Sequence, residues 1–172
     1  MILKFAEADL NASQELGDAL LSLNNRHSAE LSHLDADGFR KIVRNASVAW
    51  RIGLSDAVLI AFDQGSAYDN INFSWFKARY EQFVYIDRVV VAPEARGRGY
   101  ARALYEALFR FAARAGQQHV VCEVNLAPPN PASNGFHRSL GFVGVGVADI
   151  HGGAKTVRYL RRDLSPSDSG AA

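Results

Sequence analysis

Basic and acidic residues nearly cancel along the 172-residue chain, 19 against 18 for a formal net charge of +1, and 48% of the residues are hydrophobic. Such a chain can bury one sizeable core, and it lacks the broad basic field that nucleic-acid binding uses. No apolar run approaches bilayer length and the opening Met-Ile-Leu-Lys-Phe-Ala-Glu does not read as a signal peptide, so a cytoplasmic protein with no membrane partner is expected.

In chain order, Leu3 to Ala6 is a first short strand. Asp9 or Asn11 can cap a helix that carries Leu16, Ala19, Leu20 and Leu23 on one face. Asn24 and Asn25 end or bend it, since asparagine tolerates the left-handed conformation and bonds to its own backbone. A segment dense in short polar groups follows, with His27, Glu30, Ser32 and His33, before Asp35 caps a second helix through Phe39, Ile42 and Val43. Ala46 to Ile52 and Asp56 to Phe62 are two antiparallel strands joined around Gly53. The interval from Asp63 to Tyr80 opens with turn-formers and continues into the aromatics Phe73, Trp75 and Phe76, which reads as a long loop.

Phe83 to Val91 is a central strand, and Pro93, which has no ladder donor, ends it. Arg96-Gly97-Arg98-Gly99-Tyr100-Ala101 comes next, then a helical stripe of Ala101, Leu104, Leu108, Phe111 and Ala115 capped by Gly116. Glycines in such a turn let backbone amides approach a ligand, and the first N–H groups of the helix lack intrahelical partners. Strand, glycine turn and helix together suit a pyrophosphate, with Arg96 and Arg98 adding charge. The full dinucleotide fingerprint and the Gly-Lys-Ser/Thr of a triphosphate loop are both missing.

His119 to Asn125 is the next strand, in which Cys122, the single cysteine, reads as a small core residue. Leu126-Ala-Pro-Pro-Asn-Pro131 leaves the sheet, and Asn130 caps a helix with Pro131 in its first turn, carrying Phe136 and Leu140. Phe142 to Ala148 and Lys155 to Leu160 form a last strand pair around His151-Gly152-Gly153. The five histidines show no metal-ligand spacing.

Arg96-x-x-Gly99-x-Ala101 in its strand–turn–helix setting resembles the acetyl-coenzyme A motif of the GNAT acetyltransferases. Downstream, Asn130-Pro-Ala-Ser-Asn-Gly-Phe-His137-Arg-Ser-Leu-Gly-Phe142 resembles the family's Asn-x-x-Ala-x-x-Leu-Tyr-x-x-x-Gly-Phe segment. Two ordered motifs at the family's separation are more specific than either alone. The resemblance covers residues 1–163 as one domain, and the Ser-, Pro-, Gly- and Ala-rich residues 164–172 read as a disordered tail. It implies an α/β fold with a central mixed sheet, helices on both faces, and middle strands that splay apart at Pro93 and Pro128. A pantetheine arm would run along Val89, Val90 and Val91 like an added strand, the amide of Val89 or Val90 polarising the thioester carbonyl. The turn of Arg96, Gly97, Arg98, Gly99, Tyr100 and Ala101 would hold the pyrophosphate of coenzyme A. Asn130 and Ser133 would meet the cofactor arm, Ser133 standing at the motif's alanine. His137 replaces the tyrosine that often protonates the leaving thiolate.

An acetyl group passes to an amine only when the amine is neutral, so the site needs a proton acceptor. Asp87, on the strand face of Tyr85 and Val89, is either the anchor of a water relay or an ion paired with Arg88. Tyr85 stands where some of the family carry a glutamate base, and Glu123 and Glu30 are rival acceptors. A carboxylate at its ordinary pKa serves poorly unless burial raises it or water relays the proton. The polar residues Asn24, Asn25 and Glu30 are either loop and caps or the lining of an acceptor site. Likewise Tyr68, Phe73, Trp75 and Phe76 either wall a pocket, with Trp75 available for cation–π contact, or pack their segment to the body. The implied activity is acetylation of a small-molecule amine by direct attack in a ternary complex. Acetylation of a protein or peptide, and coenzyme A binding without transfer, are the alternatives; a homodimer is the family-based expectation.

Overall fold

A computed structural model describes residues 1–27, 31–127 and 129–170. Among the described residues, seven strands form one mixed sheet in the order β1-β2-β3-β4-β5-β7-β6, flanked by helices. The strands are β1 (Ile2–Lys4), β2 (Val48–Ile52), β3 (Ala57–Asp63), β4 (Phe83–Val91), β5 (His119–Ala127), β6 (Val143–Ile150) and β7 (Lys155–Asp163). The helices are α1 (Glu7–Ala12), α2 (Gln14–Asn25), α3 (Ala36–Asn45), α4 (Ile71–Lys77), α5 (Tyr100–Arg114) and α6 (Pro131–Ser139). Two compact units divide the chain: Met1–Tyr68 with Ile86–Leu108, and Asp69–Tyr85 with the chain from Phe109 on. The chain passes between them three times, after Tyr68, inside β4 and inside α5. No helix among the described residues is long and apolar enough to cross a membrane.

In the first unit β1, β2 and β3 form an antiparallel ladder, with Ile2 opposite Ile52 and Val48 opposite Ala61. Ala57 to Phe62 are all buried, the continuous apolar run of a strand covered on both faces. The first helix expected from the leucine spacing is two helices. Ser13 takes an extended backbone between α1 and α2, and its Oγ accepts from the amide of Leu16 at 3.2 Å. A hydroxyl that satisfies an orphan helix donor starts a new helix where the apolar stripe alone shows no break. Asp9 is not the cap; its carboxylate reaches back to the amide of Ala6 at 2.8 Å. Asp35 does cap α3, accepting from Gly38 at 2.7 Å.

In the second unit β4 runs parallel to β5, with Phe83, Val84 and Tyr85 opposite His119, Val120 and Val121. Antiparallel β7 lies on the other side of β5, and β6 pairs with β7. β5 outruns its expected end by two residues, because a bulge between Asn125 and Ala127 absorbs the distortion and leaves Ala127 opposite Thr156. The aromatic interval expected to be a loop contains α4. Asn70 caps it, its Oδ1 accepting from the amides of Asn72 and Phe73 at 2.8 and 3.2 Å. Phe73 and Phe76, three residues apart, are buried on one helix face against Phe83 and Tyr85. The tail also differs from expectation: Pro166–Ser169 forms a 3-10 turn. Arg162 binds Asp168 at 2.7 Å and Arg114 donates to the carbonyl of Ser169 at 2.9 Å, contacts that composition does not foretell.

Two packing details have measurable consequences. Trp75 stacks on Tyr159 at 4.1 Å and carries the Arg79 guanidinium 3.9 Å from its ring centroid. A Cβ on Gly146 would fall 2.6 Å from the indole of Trp75, so Gly146→Ala should cost about 1–3 kcal/mol in urea denaturation. His137, 5% exposed on α6, donates from Nδ1 to the carbonyl of Ser133 at 2.7 Å. Burial lowers its pKa, and the bond to Ser133 opposes the shift in part. The unfolded chain therefore takes up a proton there at higher pH than the folded one. The stability tied to the neutral ring is complete above the ordinary histidine value of about 6.5 and is lost as pH falls through and below it. Urea midpoints recorded from pH 7.5 down to pH 5 should fall less steeply in His137→Gln than in the parent.

Candidate functional site

In the first unit, β4 delivers the chain to the glycine turn. Val90 is buried while Val89 and Val91 are half-buried. The amide of Ala92 donates to Asp56 at 2.8 Å, a 3-10 turn spans Pro93–Ala95, and Arg96 is extended. Gly97 and Gly99 then both adopt φ 76°, a conformation that side chains disfavour, before α5 starts at Tyr100. A Cβ at either glycine would meet nothing within 4 Å, so the turn is open at both positions. This open, strand-to-helix turn fits the pyrophosphate chemistry expected of it. The end of α2 sits beside it: Arg26 pairs with Glu94 at 3.4 Å, and His27 lies 3.2 Å from the Arg96 guanidinium.

Asn24 and Asn25, expected as loop or site lining, brace the chain. Asn24 is fully buried and bonds to Asn25 at 2.9 Å and to the carbonyl of Ser32 at 3.2 Å. Asn25 holds the backbone of Leu34 at both its N–H and its C=O. Arg88 donates to Asn24 Oδ1 and to Asp87 Oδ2, both at 2.6 Å, and Tyr68, stacked on Phe62 at 3.8 Å, donates to Asp87 Oδ1 at 2.6 Å. Asp87 and Arg88 side chains are each 4% exposed. Both Asp87 oxygens are therefore engaged, the arrangement of a paired structural ion. Glu30, and Pro128 at the expected strand end, lie outside the described residues.

The second unit brings other candidates together. Tyr85 and Asn72 both donate to Glu123 Oε1, at 3.1 and 3.0 Å, and Tyr159 donates to Asn72 Oδ1 at 3.0 Å. Asn72 and Tyr85 thus meet Glu123 as neutral donors. Burial and the Glu123 charge raise the Tyr159 pKa, and burial holds the Cys122 thiol well above its ordinary value, as suits a core residue. Phe73 is core, and Trp75 already carries Arg79, so a substrate ammonium would have to displace it. Asn130 caps α6, accepting from Ser133 at 3.1 Å. His137 stands edge-on to Phe136 and Phe142, its Nδ1 proton engaged by Ser133. A neutral imidazole in that state is poorly suited to protonate a thiolate. Asn72 and Tyr159 escaped sequence reasoning. The available signal was Asn72 next to Phe73 and Phe76 at helical spacing, obscured by reading the interval as a loop. No group of three or more His, Cys, Asp or Glu among the described residues could hold a metal ion.

None of the curated proteins matches the chain in sequence. Among solved structures, Naa20 of Chaetomium thermophilum in complex with a bisubstrate analogue has a TM-score of 0.71 and 18% identity, over 98% of this chain and 88% of that one. The ribosomal-protein-alanine N-acetyltransferase of Brucella melitensis has a TM-score of 0.67 and 21% identity, over 95% of this chain and 99% of its own. An aminoglycoside 6'-N-acetyltransferase complexed with coenzyme A has a TM-score of 0.69 and 16% identity, over 96% and 98%. These likenesses concern the fold. The family model described as acetyltransferase (GNAT) family matches residues 22–142, well over half of the sequence, and the chain belongs to that family.

Proposed function

We propose that residues 1–163 act as one catalytic domain that transfers the acetyl group of acetyl-coenzyme A to the primary amine of a small molecule. The observation that carries this reading is the turn at Gly97 and Gly99, open and at positive φ between β4 and α5, in a chain of this family. Its amides would take the pyrophosphate, with Arg96 and Arg98 beside them, and the pantetheine arm would lie along Val89 to Val91. The amine attacks the thioester carbonyl and gives up a proton to a base; the carbon–sulfur bond then breaks, and the departing thiolate takes that proton back from the base or through water. We assign Glu123 as that base, directly or through water. Asp87 is committed to a guanidinium and a phenol, whereas Asn72 and Tyr85 meet Glu123 as neutral donors. His137 takes no part in the proton transfer.

A polypeptide amine is the second reading, supported by the ribosomal-protein-alanine acetyltransferase, whose fold this chain shares over almost its whole length. The charge balance of +1 offers no general attraction for basic polypeptides. Mass spectrometry with acetyl-coenzyme A and separate amine and peptide panels separates the two.

Calorimetry should show acetyl-coenzyme A binding at least an order of magnitude more tightly than ATP or NAD. Gly99→Val should weaken it through backbone strain and a side chain on the phosphate face; undiminished affinity would place the cofactor elsewhere. Once an acceptor is in hand, Glu123→Gln should lower kcat by ~10²-fold or more with cofactor affinity unchanged. His137→Gln should keep kcat.

A further inference from the structure

We propose that Asn72, on α4, is a positioning residue that orients the Glu123 carboxylate for proton uptake, with Tyr159 fixing Asn72 in turn. The inference rests on the assignment of Glu123 as the proton acceptor. Asn72 Nδ2 lies 3.0 Å from Glu123 Oε1, and Asn72 Oδ1 lies 3.0 Å from the Tyr159 hydroxyl. The chemistry leaves one orientation for the amide. A carboxylate accepts, so the NH₂ end must face it; Oδ1 also accepts, so the Tyr159 hydroxyl must donate. Tyr159 is fully buried and keeps its proton, since burial and the Glu123 charge both disfavour the phenolate. Asn72 is itself buried, and its backbone amide is held by Asn70 Oδ1, so the cap of α4 fixes where the side chain begins.

Asn72 and Tyr85 are neutral donors, and that choice matters. Arginine or lysine at residue 72 would hold the carboxylate and also neutralise it, which opposes proton uptake. An amide holds the group without a formal charge. Tyr85 from β4 adds a second neutral donor on the same oxygen at 3.1 Å. Beside Glu123 on β5, the Cys122 thiol is buried and neutral, while Arg79, past the end of α4, acts on Tyr159. Two donors converging on Oε1 set the plane of the carboxylate, and the Tyr159–Asn72 bond prevents the amide from turning its oxygen to it.

The test follows the Glu123 side-chain carboxyl by ¹³C NMR titration of the full-length protein without ligands, in parent, Asn72→Ala and Tyr159→Phe. Loss of a hydrogen bond to the charged form should raise the Glu123 midpoint by about one pH unit in Asn72→Ala. Tyr159→Phe, which keeps the ring stacked on Trp75, should move it in the same direction by less. The acidic limb of kcat/KM for acetyl transfer should rise in step, with acetyl-coenzyme A affinity unchanged. A Glu123 midpoint that stays at the parent value in both variants, each folded by circular dichroism, overturns the inference. Loss of transfer in Glu123→Gln with an unmoved acidic limb in Asn72→Ala sinks the role of Asn72 alone. Full transfer in Glu123→Gln sinks the assignment of the base, and this inference with it.

Discussion

A guanidinium with 4% of its side chain exposed cannot be left without partners, and Arg88 dictates much of what surrounds it in the first unit. Its positive charge is met by Asp87 and its Nη1 by the amide oxygen of Asn24. Removing one partner from such a pair strands a buried charge, at a cost of about 3–5 kcal/mol. The constraint propagates. Asn24, fixed through its oxygen, uses its NH₂ on Asn25 and Ser32, and Asn25 clamps Leu34. A polar connection between α2 and α3 is thereby tied to the strand that leads into the glycine turn.

The same constraint bears on two of the three carboxylates, Asp87, Glu123 and Glu30, that the sequence leaves in competition. To accept a proton, Asp87 must give up a bond from Tyr68 or weaken its pairing with Arg88. Glu123 is met by a phenol and an amide, which orient it and bring no opposing charge. The proposed division, with Asp87 holding structure and Glu123 exchanging protons, rests on this difference between their donors.

Much of this architecture was legible in the sequence, for definite reasons. Asp35, Asn130 and the glycines at 97 and 99 occupy positions whose backbone demands those residue types, so local chemistry reported local structure. The sequence leaves Asp87 open as relay or as paired ion, since it shows the adjacency of Arg88 but not their contact. The pairing of Asn24 with residue 88 and of Asn72 with residue 123 joins positions 64 and 51 apart, which no local pattern encodes. The same holds for α4. Its cap and its Phe73 and Phe76 spacing were visible, but seven residues are too few for periodicity to outweigh the turn-formers ahead of them. For Ser13 the difficulty was different: an unbroken apolar stripe hid a change of helix.

The surroundings of Tyr159 show how packing reaches the Glu123 carboxylate within the second unit. Tyr159 is stacked on Trp75 at 4.1 Å, so the position of the indole sets that of the phenol ring and hence of its hydroxyl. Trp75 can come so close to β6 because Gly146 has no side chain; a methyl group there would overlap the indole edge. Gly146 is thus joined to the Glu123 carboxylate by a run of contacts, Trp75 on Tyr159, Tyr159 to Asn72 and Asn72 to Glu123. A hydrogen bond tolerates a few tenths of an ångström of misplacement less well than an apolar contact does, because its strength depends on angle as well as distance. Misplacement at Gly146 should thus be felt at Glu123 out of proportion to its effect on the core. Of the aromatic segment, which the sequence leaves open as pocket wall or as packing, Phe73 is core and Trp75 packs on Tyr159, the partner of Asn72.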